Sequence, residues 1–181
     1  MAARIKQITT KAELPVEGQQ LFDRIFASRT AGGPFSILLH NIPLADKIDA
    51  LSMSLGSDSG LTAQEFVLTA LAVARAKDCL FVWSVQARNA RRDGVSDSAI
   101  AAIRDRTSAG LTDDEAALVD YVRQIIGGNR VSQAVFDKLR ERHGERWLVG
   151  LTSVAGHFGL ICAVNNAFEV PPSPEGDPLP I

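Results

Sequence analysis

The chain has almost no surplus charge. Its 181 residues carry 19 Lys and Arg against 21 Asp and Glu, a formal net charge of −2. That balance excludes a broad polyanion-binding surface, so nucleic acid is not expected as a partner. The one local basic cluster, Arg88, Arg91 and Arg92, reads as the solvated face of a helix. Cysteine is scarce too: Cys79 and Cys162 are the only two, too few for a disulfide framework. No apolar run lies between Met1 and Thr10, so no signal peptide is read there and a reducing, cytoplasmic location is the default expectation. Nothing in the residues calls for a metal or a cofactor. Strand-like alternation is also weak throughout.

Helical periods dominate what is present. Apolar residues make up 46% of the chain and charged residues 22%, the composition of one ordinary globular domain. Leu21, Phe22, Ile25 and Phe26 form an apolar stripe after Pro15, and Ala31 to Pro34 breaks it. Phe35 to His40 is a short apolar run, and Pro43 opens the next helix. Thr62 with Glu65 and Thr112 with Glu115 are capping boxes, and they start helices at about 62 and about 112. Between them a helix over Asp78 to Arg92 ends at Gly94, and Ser96 caps a short one through Arg104. Ser132 caps a further helix ending near Gly144. The expectation is an all-α domain of seven or eight helices over residues 1–170. The tail, residues 171–181, has five prolines in eleven residues and should be an extended arm.

Trp147 to Phe168 contains no Asp, Glu, Lys or Arg over 22 residues, enough to span a bilayer. Thr152, Ser153, His157, Asn165, Asn166 and three glycines make that costly in lipid, so no membrane role is read. A helix buried in the core or in a subunit interface fits better, and self-association is expected to cover what one subunit cannot.

Cys79, Val82 and Gln86 stand at i, i+3 and i+7, one stripe of a helix, with Trp83 beside them. With the segment "LTALAVARAKDCLFVWSVQARNARRDG" from Leu68 to Gly94, the upstream "GPFSILLHNIPLA" and the later "GHFGLICAVNNAFEV", the chain resembles the carboxymuconolactone decarboxylase family, which includes the alkylhydroperoxidase D-like proteins. The resemblance implies an all-helical subunit assembled as a homodimer, trimer or hexamer, with no metal or cofactor. It implies either a decarboxylase-type lyase on a small organic acid or lactone, or a thiol peroxidase.

The peroxidase pattern is a Glu, a Cys twelve later, a Cys three further and a His four further. A base generates a thiolate, and a second thiol resolves the oxidised first one. The matching positions here are Val67, Cys79, Val82 and Gln86. Only the first cysteine is retained, so a peroxidase would depend on Cys79 alone and an external thiol. Glu65 is two residues early and is accounted for by its capping box. The decarboxylase-type reading is therefore the expectation, with His157 or His40 as the proton-transfer group and Gln86 as a polar anchor. Trp83, Val67, Val82 and Asn165 would line a mostly apolar pocket. Each has a structural reading as well: His40 tying down a loop, His157 satisfied within the core on a face with Ser153, Val154, Leu160 and Val164, Cys79 a small core residue, Trp83 core or interface, and Asn165 and Asn166 capping a helix end. A non-catalytic binding or assembly role is the third possibility.

Overall fold

A computed structural model describes residues 2–181. After a 3-10 turn at Lys11–Glu13, the chain forms α1 (Val16–Phe26), α2 (Gly33–Leu38), α3 (Ile42–Asp58), α4 (Ala63–Ala76), α5 (Leu80–Arg92), α6 (Asp97–Arg104), α7 (Asp113–Gly128) and α8 (Gln133–Ala167). No strand occurs among the described residues. The all-α expectation holds, with eight α-helices.

Local chemistry sets the ends of these helices. Thr62 and Thr112 each accept a hydrogen bond from the backbone N–H three residues on, and the Glu65 and Glu115 carboxylates accept one from the backbone N–H of the cap residue, as the sequence pattern predicts. Asn41 and Ser96 cap α3 and α6 with their side chains. The apolar run from Phe35 lies in α2, all of whose residues are buried. Such a run is ambiguous in sequence, because a fully buried short helix shows no polar face.

The centre of the fold is α4. Its residues Val67 to Ala74 are all buried, and the helix packs against α5, α7 and α8. The uncharged part of α8 supplies the other half of the core through Leu151, Val154, Ala155, Phe158, Ile161 and Cys162. Each fully buried Leu, Ile or Phe here adds roughly 2 kcal/mol of transfer free energy. Over its most apolar window α8 is 56% buried within the chain.

Two glycines make this arrangement possible. Gly144 has φ 81° and ψ 171°, a conformation L side chains avoid, and it breaks α8 three residues before its uncharged run begins at Trp147. Gly150 lies so close to the end of α3 that a Cβ would sit 1.9 Å from the Ser59 carbonyl oxygen. The tail from Pro171 has no helix. It runs back over α5: the Ser173 N–H donates to Ser84 Oγ at 3.0 Å, Asp177 pairs with Arg91 at 2.6 Å, and Leu179 reaches the core.

Candidate functional site

Cys79 is not inside a helix. It is the N-cap of α5, with φ −90° and ψ 97°, so the stripe of Cys79, Val82 and Gln86 begins at a helix end. The residue before it causes this. Asp78 takes a left-handed conformation at φ 46° and turns α4 into α5 within three residues. That turn is tied from several sides. Arg75 and Arg106 both pair with Asp78, the second at 3.1 Å. Asn166 Nδ2 donates to the Lys77 carbonyl at 2.8 Å, and the Cys79 N–H donates to the Ala74 carbonyl at 2.8 Å. Asn166 thus serves the C-terminal end of α4.

The Cys79 side chain is fully buried, and Cys162 on α8 faces it, also fully buried. The Cys162 thiol and the backbone N–H groups of Val82 and Phe81, in the first turn of α5, surround the Cys79 sulfur. Together they hold the Cys79 thiol below its ordinary pKa, against the opposing effect of burial. The position at the start of α5 favours negative charge further. Cys162 moves the other way, because its proton is held in the hydrogen bond to Cys79 and its surroundings are apolar. A low-pKa thiol and a proton-retaining thiol are therefore in contact. Sequence reasoning gave Cys162 no part in a site. The 83-residue gap between the cysteines hides their contact, and the only sequence signal was that the second cysteine also lay in an uncharged segment.

Two orphaned polar atoms flank the thiols. Trp83, one turn after Cys79 on α5, and Asn165, one turn after Cys162 on α8, are both almost wholly buried. The Trp83 indole N–H and the Asn165 Oδ1 have no partner among the described residues. Asn165 uses its amide nitrogen on the Ile161 carbonyl at 2.9 Å. A buried donor and a buried acceptor left open are uncommon in a settled core. Val67 and Val82 are packed into the core beside them.

His157 lies elsewhere on α8, toward α3. It sits at the border between buried Val154, Phe158 and Ile161 and exposed Ser153 and Leu160. Ser153 and Leu160 therefore do not share its burial, as the expected face had them, because steps of 100° per residue swing them to the solvent edge. The single hydroxyl proton of Ser52 goes to the Ile48 carbonyl at 3.0 Å, which assigns a proton to His157 Nε2, 3.0 Å from Ser52 Oγ. The neutral ring then leaves the buried Nδ1 lone pair without a partner among the described residues. Burial, and secondarily the nearby Arg29 guanidinium, push the His157 pKa down. Arg29 is itself bound to the buried Asp49 carboxylate at 2.7 Å.

The remaining candidates are dispersed. His40 is exposed and its Nε2–H donates to the Lys6 carbonyl at 2.8 Å, fastening the N-terminal segment. Gln86 is half-buried and accepts a hydrogen bond from Asn89 at 3.2 Å. None of His40, Gln86 and His157 is hydrogen-bonded to another of the three. His143 is stacked on Trp147 with ring centres 4.1 Å apart. Two surface clefts, of about 300 and 250 Å³, are lined by neither cysteine and by neither His157 nor Gln86. The basic cluster is largely neutralised: Arg91 binds Asp97 and Asp177, and Arg92 binds Asp93.

Residues 43–124, from α3 into α7, match the carboxymuconolactone decarboxylase family. That segment is similar to the carboxymuconolactone decarboxylase family, and the fold is similar to that of alkylhydroperoxidase D-like proteins. The fold agrees over nearly the whole length. It is similar to an alkylhydroperoxidase AhpD core protein, an uncharacterized peroxidase-related protein from Ralstonia eutropha JMP134, at a TM-score of 0.82 and 19% identity over 97% of this chain and 94% of that one. A peroxidase-related protein from Silicibacter sp. TM1040 gives 0.79 at 17% identity, covering 96% and 93%. The debrominase Bmp8 gives 0.77 at 14% identity, covering 97% and 93%. No functionally curated protein matches the chain in sequence. At these identities the structural likeness establishes the fold alone and leaves the reaction to the residues of this chain.

Proposed function

We propose that the protein is a thiol-dependent peroxidase-type enzyme in which Cys79 is the nucleophile. One observation carries this reading: Cys79 is the N-cap of α5, beside the open N–H groups of that helix's first turn and buried together with a second thiol. The pattern's missing Glu and His would have generated the thiolate by taking its proton. Here hydrogen-bond donors and the helix end stabilise the thiolate instead. The thiolate attacks the outer oxygen of a hydroperoxide. The S–O bond forms, the O–O bond breaks, and the alcohol leaves with one proton, giving Cys79 sulfenic acid. An external thiol returns Cys79 to the reduced form, which suits a cytoplasmic, reducing compartment. The test is consumption of cumene hydroperoxide in the presence of a thiol reductant. Turnover should fall at least about 100-fold in Cys79→Ser, since the hydroxyl is not ionised at neutral pH. Equal turnover by wild type and Cys79→Ser would overturn the reading.

A specific observation keeps a second reading. His157 has a buried, unpartnered Nδ1 lone pair and a depressed pKa, the equipment of a neutral general base. It would serve a metal-free lyase acting on a small organic acid or lactone. Lyase turnover lost in His157→Gln and retained in Cys79→Ser would establish this reading over the first.

We also propose self-association through the uncharged edge of α8 and the neighbouring α3. Val149 is 67% exposed, Leu160 40% and Met53 of α3 64%, with Thr152, Ser153 and Gly156 completing an exposed edge that bears no charge.

A further inference from the structure

We propose that Cys162 is the resolving thiol of this enzyme, so that Cys79 and Cys162 form a redox-active disulfide between the start of α5 and the C-terminal turns of α8. The inference rests on the peroxidase reading of Cys79 and adds what that reading leaves to an external thiol. The position three residues after Cys79, where a resolving cysteine would be sought, is Val82. The fold supplies a sulfur from another direction. Cys162 is the only other cysteine in the chain, both cysteines are fully buried where α5 packs on α8, and Asn166, one turn after Cys162, bonds at 2.8 Å to the carbonyl of Lys77, two residues before Cys79.

The chemistry balances within the pair. After hydroperoxide has converted Cys79 to the sulfenic acid, the Cys162 sulfur attacks the Cys79 sulfur. The S–S bond forms, the S–O bond breaks, and hydroxide leaves and takes up the Cys162 proton as water. One hydroperoxide is reduced to its alcohol and two thiols are oxidised to one disulfide. An external dithiol then reduces the disulfide through a mixed disulfide and is itself oxidised. The unpartnered Trp83 N–H and Asn165 Oδ1 lie one turn beyond each thiol, a donor and an acceptor open to the small polar species this sequence passes through. Both sulfurs are buried, and Cys162 is the one thiol the sulfenic acid can meet inside the fold.

The experiment treats the reduced protein with one equivalent of cumene hydroperoxide in the presence of dimedone, then maps peptides without reduction. In wild type the expected product is the cross-linked pair of peptides carrying Cys79 and Cys162, with both free thiols lost. Cys162→Ala should instead accumulate the dimedone adduct on Cys79, at least tenfold above wild type. Wild-type protein that forms the Cys79 adduct as readily as Cys162→Ala, and keeps its second thiol titratable, would overturn the inference while leaving Cys79 as the peroxide-reactive group. If neither protein forms an adduct or a cross-link, the peroxidase reading fails and the inference falls with it. The wild-type peptide map decides the case even if the variant folds poorly.

Discussion

A single side chain decides how closely two helices approach. Gly150 lets α8 touch the last turn of α3, and a methyl group there would meet the Ser59 carbonyl oxygen at 1.9 Å, a backbone atom with no rotamer to change. Gly150→Ala should therefore destabilise the protein by about 3 kcal/mol, read as a lower midpoint in urea denaturation with an unchanged slope. Gly56 in α3 provides the opposite case. It is exposed, and a Cβ would have no heavy atom within 4 Å, so Gly56→Ala should raise stability by about 0.5–1 kcal/mol through helix propensity alone. Both are helical glycines without a positive φ, and the sequence does not distinguish them. The same limit governs Cys79. Its spacing to Val82 and Gln86 was legible, whereas its place at a helix end depends on Asp78 adopting φ 46°, which no local pattern announces.

At the scale of elements, legibility followed range in sequence. The capping boxes of α4 and α7 and the break at Gly144 were readable because each is satisfied within a few residues. What joins α8 to its neighbours was not, since Cys79 with Cys162 and Ser52 with His157 are pairs separated by 83 and 105 residues. The second pair has a pH signature. Burial lowers the pKa of His157 below its ordinary 6.5. The folded state then binds fewer protons than the unfolded chain wherever the unfolded histidine is protonated, so stability falls as pH drops below about 6.5 and stops falling from this source below the folded pKa. One proton gives a slope of at most about 1.4 kcal/mol per pH unit. His157→Gln keeps a donor for Ser52 and has nothing to titrate. Chemical denaturation between pH 5 and 7 should show a shallower loss in the variant than in wild type by up to about that slope. Parallel curves would mean that the folded ring takes up its proton as readily as the unfolded one.

The whole molecule leaves one long helix only partly covered. The inner face of α8 is core, but its outer edge from Val149 through Thr152, Ser153 and Gly156 to Leu160 carries no charge, and the adjoining α3 exposes Leu51 and Met53. A helix whose last charges are Glu145 and Arg146 and whose outer edge is then uncharged departs from the usual charged outer face. Small residues at Ser153 and Gly156 permit close approach of a second helix, and a two-fold pairing would set each edge against its copy. A stable pair buries about 800 Å² per partner. Val149→Lys provides the test, because the side chain is 67% exposed in the single subunit and the charge costs little there, whereas at the centre of a dry contact it would lie unpaired. Sedimentation should show the wild-type chain as an oligomer at micromolar concentration. Association should weaken at least about tenfold in Val149→Lys, with unchanged helix content by circular dichroism. A wild-type chain that sediments as a monomer throughout that range would refute the contact. Its α8 edge would then be an uncharged surface with no partner of its own kind.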